Sequence, residues 1–149
     1  MLIDKTNTVS NILVTIQFGS IFFMALTGPW ITQTWYLFAI EAAGVFLGLY
    51  AIYIMRIGNF NVRPLVKENG RLVRHGPYRL IRHPMYTAIL LVLYPLLIEH
   101  FTYLRLSIMV VLTINLVVKQ IFEEGLLKTH FSDYPDYMKQ TKRMIPCVF

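Results

Sequence analysis

Four long apolar segments, separated by short polar stretches, dominate the pattern of this chain. They cover residues 9–27, 35–57, 84–98 and 104–122. A helix needs about 20 residues to cross roughly 30 Å of hydrocarbon. The third segment approaches this length only if its helix begins near Pro84, a residue suited to a first helical turn. The pattern predicts an all-α integral membrane protein with four transmembrane helices, built as one domain over residues 1–149.

The first apolar segment also has to be weighed as a secretory signal peptide. It is long for one, and its leader carries only Lys5 against Asp4 instead of a positively charged region. We therefore expect it to be retained as a membrane helix.

The composition agrees with a membrane protein. The chain is 56% hydrophobic and 15% charged, whereas soluble domains carry roughly 25% charged residues. Its net charge is +6, but the cations flank the apolar segments, which indicates lipid headgroups rather than nucleic acid as the partner. The single cysteine, Cys147, excludes an internal disulfide and a cysteine-based zinc site.

The charges of the loops predict an orientation in the membrane. The loop 28–34 has no charged residue, and Trp30, Trp35 and Tyr36 beside it suit the outer interface. The segment from Arg56 to Arg82 carries seven cations, Arg56, Arg63, Lys67, Arg71, Arg74, Arg79 and Arg82. The positive-inside rule therefore places both termini and the 58–82 loop in the cytoplasm.

The tail of the chain has a helical pattern of its own. Residues 123–140 read as a cytosolic amphipathic helix that is broken near Pro135. Its apolar side would comprise Leu126, Leu127, Phe131, Tyr134 and Tyr137. We expect residues 123–149 to fold as a cap over the cytosolic mouth of the helices.

A polar stretch, residues 76–86, lies at the mouth of the third apolar segment. It could be an interfacial segment whose arginines reach lipid phosphates. It could also cover a pocket, because Tyr78, His83 and Tyr86 lie near one helix start, and free N–H groups there can bind an anion. Polar groups at such a position are costly unless they bind something.

A pair of carboxylates, Glu123 and Glu124, follows the fourth apolar segment directly. One interpretation is an ion pair with Lys119, one turn earlier, worth a few tenths of a kcal/mol. The other is that one of the two carboxylates faces inward and holds a cationic ligand. Asn115, about two turns before Glu123, either bonds a neighbouring helix or lines the same pocket.

Glu41 lies inside the second apolar segment, where an acidic group should face the bundle rather than lipid. Gly44 and Gly48 follow it at helical spacing and would let another helix pack closely. We expect a structural role for Glu41. No His-x-x-x-His or carboxylate pattern of metal-site type occurs, so no metal is predicted.

Several of these residues form an ordered set of motifs. The set comprises residues 76–78, 82–86, 123–131, 134–137 and 144–146, within about the last 80 residues of the chain. In this order it resembles the isoprenylcysteine carboxyl methyltransferase family, which is related to membrane phospholipid methyltransferases. The resemblance implies a minimal four-span core that binds S-adenosylmethionine through the loop 58–83, the start of the third helix and the tail.

The resemblance also implies roles for individual residues. The cofactor would meet the backbone of Leu72 and Val73, and Glu123 would meet its cationic end. Its other contacts would be Tyr78, His83, Pro84, Met85 and Tyr86. Lys119 stands where the family often has an arginine that meets the substrate, with Asn115 beside it. Glu123 and Lys119 are the implied catalytic residues.

The function implied is methyl transfer to a lipid-like acceptor at the cytosolic membrane face, most like isoprenylcysteine carboxyl methylation. Alternatives are an ethanolamine-type phospholipid N-methyltransferase, a NADPH-dependent sterol-type reductase that shares the Arg-His-Pro stretch, and a membrane scaffold without catalysis. Lys119 favours an acceptor bearing a negative group. An amine acceptor would also need a base, for which Glu123, Glu124 and His83 are the candidates.

Overall fold

The structure, a computed structural model, describes residues 2–55 and 72–145, with side chains from Thr6 onward. This part of the chain is all-helical, as predicted, and holds a 3₁₀ turn at Gly76–Arg79 and five α-helices. The α-helices are α1 (Leu2–Leu26), α2 (Trp35–Met55), α3 (Pro84–Glu99), α4 (Tyr103–His130) and α5 (Tyr134–Gln140). The predicted loop 58–83 is described only from Leu72 onward, so Arg56, Arg63, Lys67 and Arg71 lie outside the described residues, as does Cys147.

Three of these helices are long and apolar enough to cross a membrane, namely Thr6–Leu26 of α1, all of α2 and all of α4. Their outward faces carry exposed large apolar side chains, such as Phe22, Phe46 and Ile114, which suit contact with lipid tails. Helix α3 is apolar but has 16 residues, a length of about 24 Å, which is less than the hydrocarbon thickness. The fourth span therefore stays a prediction.

The end of α4 differs from the prediction. The helix does not stop at residue 122 but continues to His130, and the break falls at residues 131–133. The two glutamates end the apolar pattern but are good helix formers, so the backbone has no reason to leave the helix there. Pro135 lies in the first turn of the short helix α5 instead of breaking a longer one, a position that needs no proline N–H.

Helices α2 and α3 approach each other closely along a small-residue face. A Cβ atom on Gly44 would lie 2.8 Å from Cβ of Leu91, and one on Gly48 would lie 3.3 Å from Cβ of Ala88. The predicted role of the two glycines in close helix packing is therefore confirmed.

Arg105 of α4 forms hydrogen bonds with the ends of α1 and α3 at one end of the bundle. Its buried guanidinium donates to the carbonyl oxygens of Met24 (3.0 Å) and Leu96 (3.0 Å), and to Oγ1 of Thr27 (3.1 Å). These carbonyls belong to the last turns of α1 and α3, where the helix dipole favours a cation. The α1–α2 and α3–α4 connections therefore meet at this end of the bundle, called here the loop end.

Glu41 belongs to the loop end as well. Its carboxylate oxygen Oε2 accepts the backbone N–H (3.0 Å) and the hydroxyl (2.9 Å) of Thr32. Both residues are buried, so the charge is held by hydrogen bonds within the connection between α1 and α2. This agrees with the structural role expected for Glu41.

The apolar core lies toward the loop end, between α1, α3 and α4. Its buried members are Met24, Leu93, Leu96, Leu97, Met109, Leu112 and Leu116. The opposite half of the bundle, called here the site end, instead buries polar side chains, among them His83, Asn115, Lys119, Gln120 and Glu124. Because burying polar groups costs free energy unless they are bonded, the site end is where function is expected.

Candidate functional site

The tail of the chain forms backbone hydrogen bonds with the segment that leads into α3. Arg82 N–H donates to Lys142 O (2.8 Å), His83 N–H to Arg143 O (2.9 Å), and Lys142 N–H to Leu80 O (3.1 Å). Two motifs about 60 residues apart in sequence thus lie side by side. The tail therefore fixes the position of the α3 start.

Helix α3 begins at Pro84, as predicted, with His83 at its N-cap. The His83 and Tyr86 rings stack almost in parallel, with centroids 5.3 Å apart and an angle of 4° between the planes. The carbonyl of His83 accepts the N–H groups of Tyr86 (3.1 Å) and Thr87 (3.2 Å). The two rings form a flat aromatic surface at the first turn of α3.

Glu123 of α4 faces this aromatic surface. Its Oε2 accepts the Tyr86 hydroxyl at 2.9 Å and lies 3.7 Å from Nδ1 of His83. The Glu123 side chain is 29% exposed. A carboxylate that is oriented by a tyrosine and still reachable can bind a cationic or hydroxyl-bearing ligand.

Glu124 has different surroundings although it is the next residue. Its side chain is only 2% exposed, and it accepts Nε of Arg82 (2.7 Å) and Nε of Arg143 (3.1 Å). His83 Nε2 lies 3.4 Å from the same carboxylate. Successive side chains on a helix point about 100° apart, which separates the two glutamates. Glu124 joins α4 to the α3 start and the tail, and Glu123 is the carboxylate open to a ligand.

Lys119 lies one turn before Glu123 and is 1% exposed. Its Nζ donates to Oε1 of Gln17 on α1 at 2.5 Å and lies 5.3 Å from the centre of the Tyr86 ring. Tyr86 therefore contacts Lys119 with its ring face and Glu123 with its hydroxyl. The two implied catalytic residues meet the same tyrosine.

Tyr78 is buried in the 3₁₀ turn, and its carbonyl accepts the Tyr137 hydroxyl at 2.6 Å. Burial, with the Glu123 charge as a second cause, raises the pKa of Tyr78 well above its usual value, so the phenol stays neutral. Leu72 and Val73 lie just before this turn in irregular backbone and are half-buried. Their cofactor contacts stay predictions, as do those of Tyr78, His83, Pro84, Met85, Tyr86 and Glu123.

Asn115 lies on the face of α4 that packs against α1. Its side-chain amide donates to the Leu13 carbonyl at 3.0 Å, across the helix pair. This is the interhelical bond that was one of the two interpretations of the sequence. A substrate contact by Asn115 stays a prediction.

Residues of the site end that were not singled out from the sequence include Gln17, Gln120 and Arg143. Gln17 was a polar residue within an apolar segment, which is a signal in itself. Arg82 was counted among the loop cations and in the motif 82–86, but no local pattern pairs it or Arg143 with Glu124. No cluster of three His, Cys, Asp or Glu side chains suited to a metal ion occurs in residues 2–55 and 72–145.

The comparison with known proteins gives a match that covers most of the residues of this site. The family model described as phospholipid methyltransferase matches residues 23–134, which include most of the site end. Neither the curated proteins nor the solved structures gave a match to this chain. The match covers well over half of the chain and confirms the resemblance seen in the motifs. The chain therefore belongs to the phospholipid methyltransferase family of integral membrane methyltransferases, which act on lipid-like substrates.

Proposed function

We propose that this protein transfers a methyl group from S-adenosylmethionine to a lipid-like acceptor at the cytosolic face of the membrane. The observation that carries the proposal is the partly exposed carboxylate of Glu123. It accepts a hydrogen bond from Tyr86, whose ring stacks on that of His83. Family membership supports the reaction class. Neighbouring Glu124 is already neutralised by two arginines, so Glu123 is the acidic group left for a cationic ligand.

The residues of the site end fit this cofactor. It supplies an electrophilic methyl group on a sulfonium, next to an amino acid and an adenosine. Glu123 suits the cationic part, because a carboxylate attracts cations. Tyr78, His83 and Met85 offer ring and thioether surface for the adenosine. The backbone of Leu72 and Val73, with the first turn of α3 at Pro84, would complete the contacts.

Lys119 indicates an acceptor with a negative charge near the methylated atom. We infer a carboxylate of the isoprenylcysteine type as the first candidate, because a carboxylate needs no base and complements the ammonium. A phospholipid amine headgroup is the second candidate, favoured by the description of the matched family. Its phosphate would face Lys119, and Glu123 would take the proton from the amine.

Calorimetry in detergent tests the cofactor. S-adenosylhomocysteine, the product form, should bind to the protein, and NADPH should not. Glu123→Gln should weaken the binding by more than about tenfold, or about 1.4 kcal/mol. Glu41→Gln is the matched control, since it removes a buried carboxylate at the loop end. Equal affinity of Glu123→Gln and the parent protein would contradict the role of Glu123, and binding of NADPH alone would favour a reductase.

Radiolabelled methyl transfer to a membrane extract tests the acceptor. The labelled product should be an amphipathic lipid or lipidated peptide when identified by mass spectrometry. Label found only on a soluble small molecule would contradict a lipid-like acceptor.

The cytosolic orientation has its own test. In a Cys147→Ser background, single cysteines at Gln33 and Lys139 should react with an impermeant reagent from opposite sides of the membrane. Gln33 lies in the uncharged connection and Lys139 in α5, and both are exposed. Labelling of both positions from one side would contradict the orientation.

A further inference from the structure

Helix α1 presents an unusual face to α4. Its buried positions follow a spacing of three and four residues, and they are Ser10, Leu13, Gln17, Ser20 and Met24. Three of the five are polar, although a helix buried in a membrane bundle can use apolar residues there. Polar side chains within a membrane-spanning helix pair are costly and usually serve binding or transport.

The register of the two helices shows which residues lie at one level. Arg105 bonds Met24 and Asn115 bonds Leu13, so the helices are antiparallel and the level of Lys119 falls near Ser10. Gln17, which nevertheless contacts Lys119, lies about two turns away from that level.

Side-chain direction explains how they meet. Long helical side chains lean toward the N-terminus of their own helix, so Lys119 leans into the bundle and Gln17 leans toward the site end. Lysine near the end of an apolar membrane segment usually extends toward water. Here the Lys119 ammonium instead turns inward to the Gln17 amide oxygen, 2.5 Å away.

Gln17 is a neutral partner of the ammonium. An amide oxygen accepts a hydrogen bond without cancelling the charge, in contrast to the carboxylate of Glu124 that two arginines share. The Tyr86 ring on the other side is neutral too and attracts a cation through its face. Gln17 and Tyr86 therefore both contact the ammonium beside Glu123 without adding a negative charge to it.

We propose that Gln17 is a positioning residue that sets the preference of the acceptor site for a negatively charged headgroup. It acts through Lys119 and itself need not touch the acceptor. The proposal rests on the proposed methyl transfer to a lipid-like acceptor. Gln17 lies outside residues 23–134, the part matched by the family model.

Binding of two short-chain lipids in detergent tests the proposal, with S-adenosylhomocysteine present. Dihexanoyl phosphatidic acid supplies an anionic headgroup, and dihexanoylglycerol has the same tails without it. The parent protein should bind the anionic lipid about tenfold more tightly, or about 1.4 kcal/mol. Gln17→Met keeps the length of the side chain but removes the amide oxygen that accepts the hydrogen bond from Lys119. This variant should bind the two lipids with similar affinities.

Gln17→Glu is the second variant and keeps a bond to Lys119. A carboxylate there cancels the positive charge, so this variant should fold and yet lose the preference, even if Gln17→Met cannot be purified. Ser20→Ala is the matched control, because it changes the same helix face one turn away and should keep the parent preference. S-adenosylhomocysteine affinity should be unchanged in all three variants. In turnover, Gln17→Met should raise KM for an anionic acceptor and leave kcat unchanged.

Each of the following results would contradict the role of Gln17 or the proposed function. Gln17→Met and Gln17→Glu variants with the parent preference would overturn the role of Gln17 and leave the proposed function intact, as would a parent protein that binds S-adenosylhomocysteine but shows no anionic preference. Equal losses of melting temperature, kcat and cofactor affinity in Gln17→Met, with the preference retained, would show a merely structural role. A parent protein that binds no S-adenosylhomocysteine would overturn the proposed function and this inference with it.

Discussion

Replacing Glu124 with glutamine should lower the melting temperature far more than replacing its neighbour Glu123. The substitution keeps the shape of the side chain but removes the charge that Arg82 and Arg143 share at 2.7 and 3.1 Å. It also puts an amide N–H₂ group where two guanidinium groups donate, so one donor faces another. The α3 start and the tail would lose their common anchor on α4.

The exposure of the partners sets the magnitude. The Arg143 side chain is 29% exposed and can turn to water, whereas that of Arg82 is 7% exposed and cannot. Removing one partner of a buried ion pair costs about 3–5 kcal/mol, because the remaining charge stays buried. At about 2–4 °C per kcal/mol for a chain of this size, the melting temperature should fall by roughly 6–20 °C.

Thermal melting in detergent, followed by size-exclusion chromatography of the remaining soluble protein, measures this fall. Glu123→Gln is the matched control, since it makes the same chemical change one residue away at a more exposed site. We expect Glu123→Gln to melt close to the parent protein while losing cofactor affinity. Equal melting of the parent and Glu124→Gln, or an equal fall in both variants, would refute the division of roles between the two glutamates.

Three further variants test other parts of the fold, each by the same melting assay. Arg105→Met should destabilise the loop end by about 2–4 kcal/mol, because the guanidinium makes three hydrogen bonds there; unchanged melting would contradict this. Gly44→Ala should lower the melting temperature, since its Cβ would meet Leu91 at 2.8 Å, and a rise would contradict the close α2–α3 contact. Burial raises the pKa of Tyr137 to about 12, so its neutral phenol stabilises the fold fully below about pH 10 and loses that effect as the pH rises toward 12. Tyr137→Phe should remove a phenolate absorbance component near pH 12, and should melt earlier because the bond to Tyr78 is lost.

Much of the fold could be predicted from the sequence, because apolar length and proline position are local signals. The beginning of α3 at Pro84 and the close packing at Gly44 follow from single residues and their neighbours. The end of α4 could not be predicted in the same way. The end of an apolar run marks where a helix leaves lipid, and it does not mark where the helix ends.

The division of roles between Glu123 and Glu124 needed the structure. The spacing from Lys119 is nearly the same for both, so the sequence left the choice open. The choice depends on how α4 is rotated against the α3 start, and the tail contributes Arg143 to that packing. Gln17 shows the same limit, since its partner Lys119 lies 102 residues further along the chain.

The pairing of the tail with the α3 start has a consequence for chains that are cut within the tail. A chain cut before Lys142 keeps Arg82 and Glu124 but loses Arg143, the third member of their ion cluster, together with the backbone bonds between the tail and the α3 start. The buried charges of the site end are then incompletely paired, which is costly in lipid. Proteolysis in this short segment should therefore abolish the affinity for S-adenosylhomocysteine while the long helices stay in the membrane.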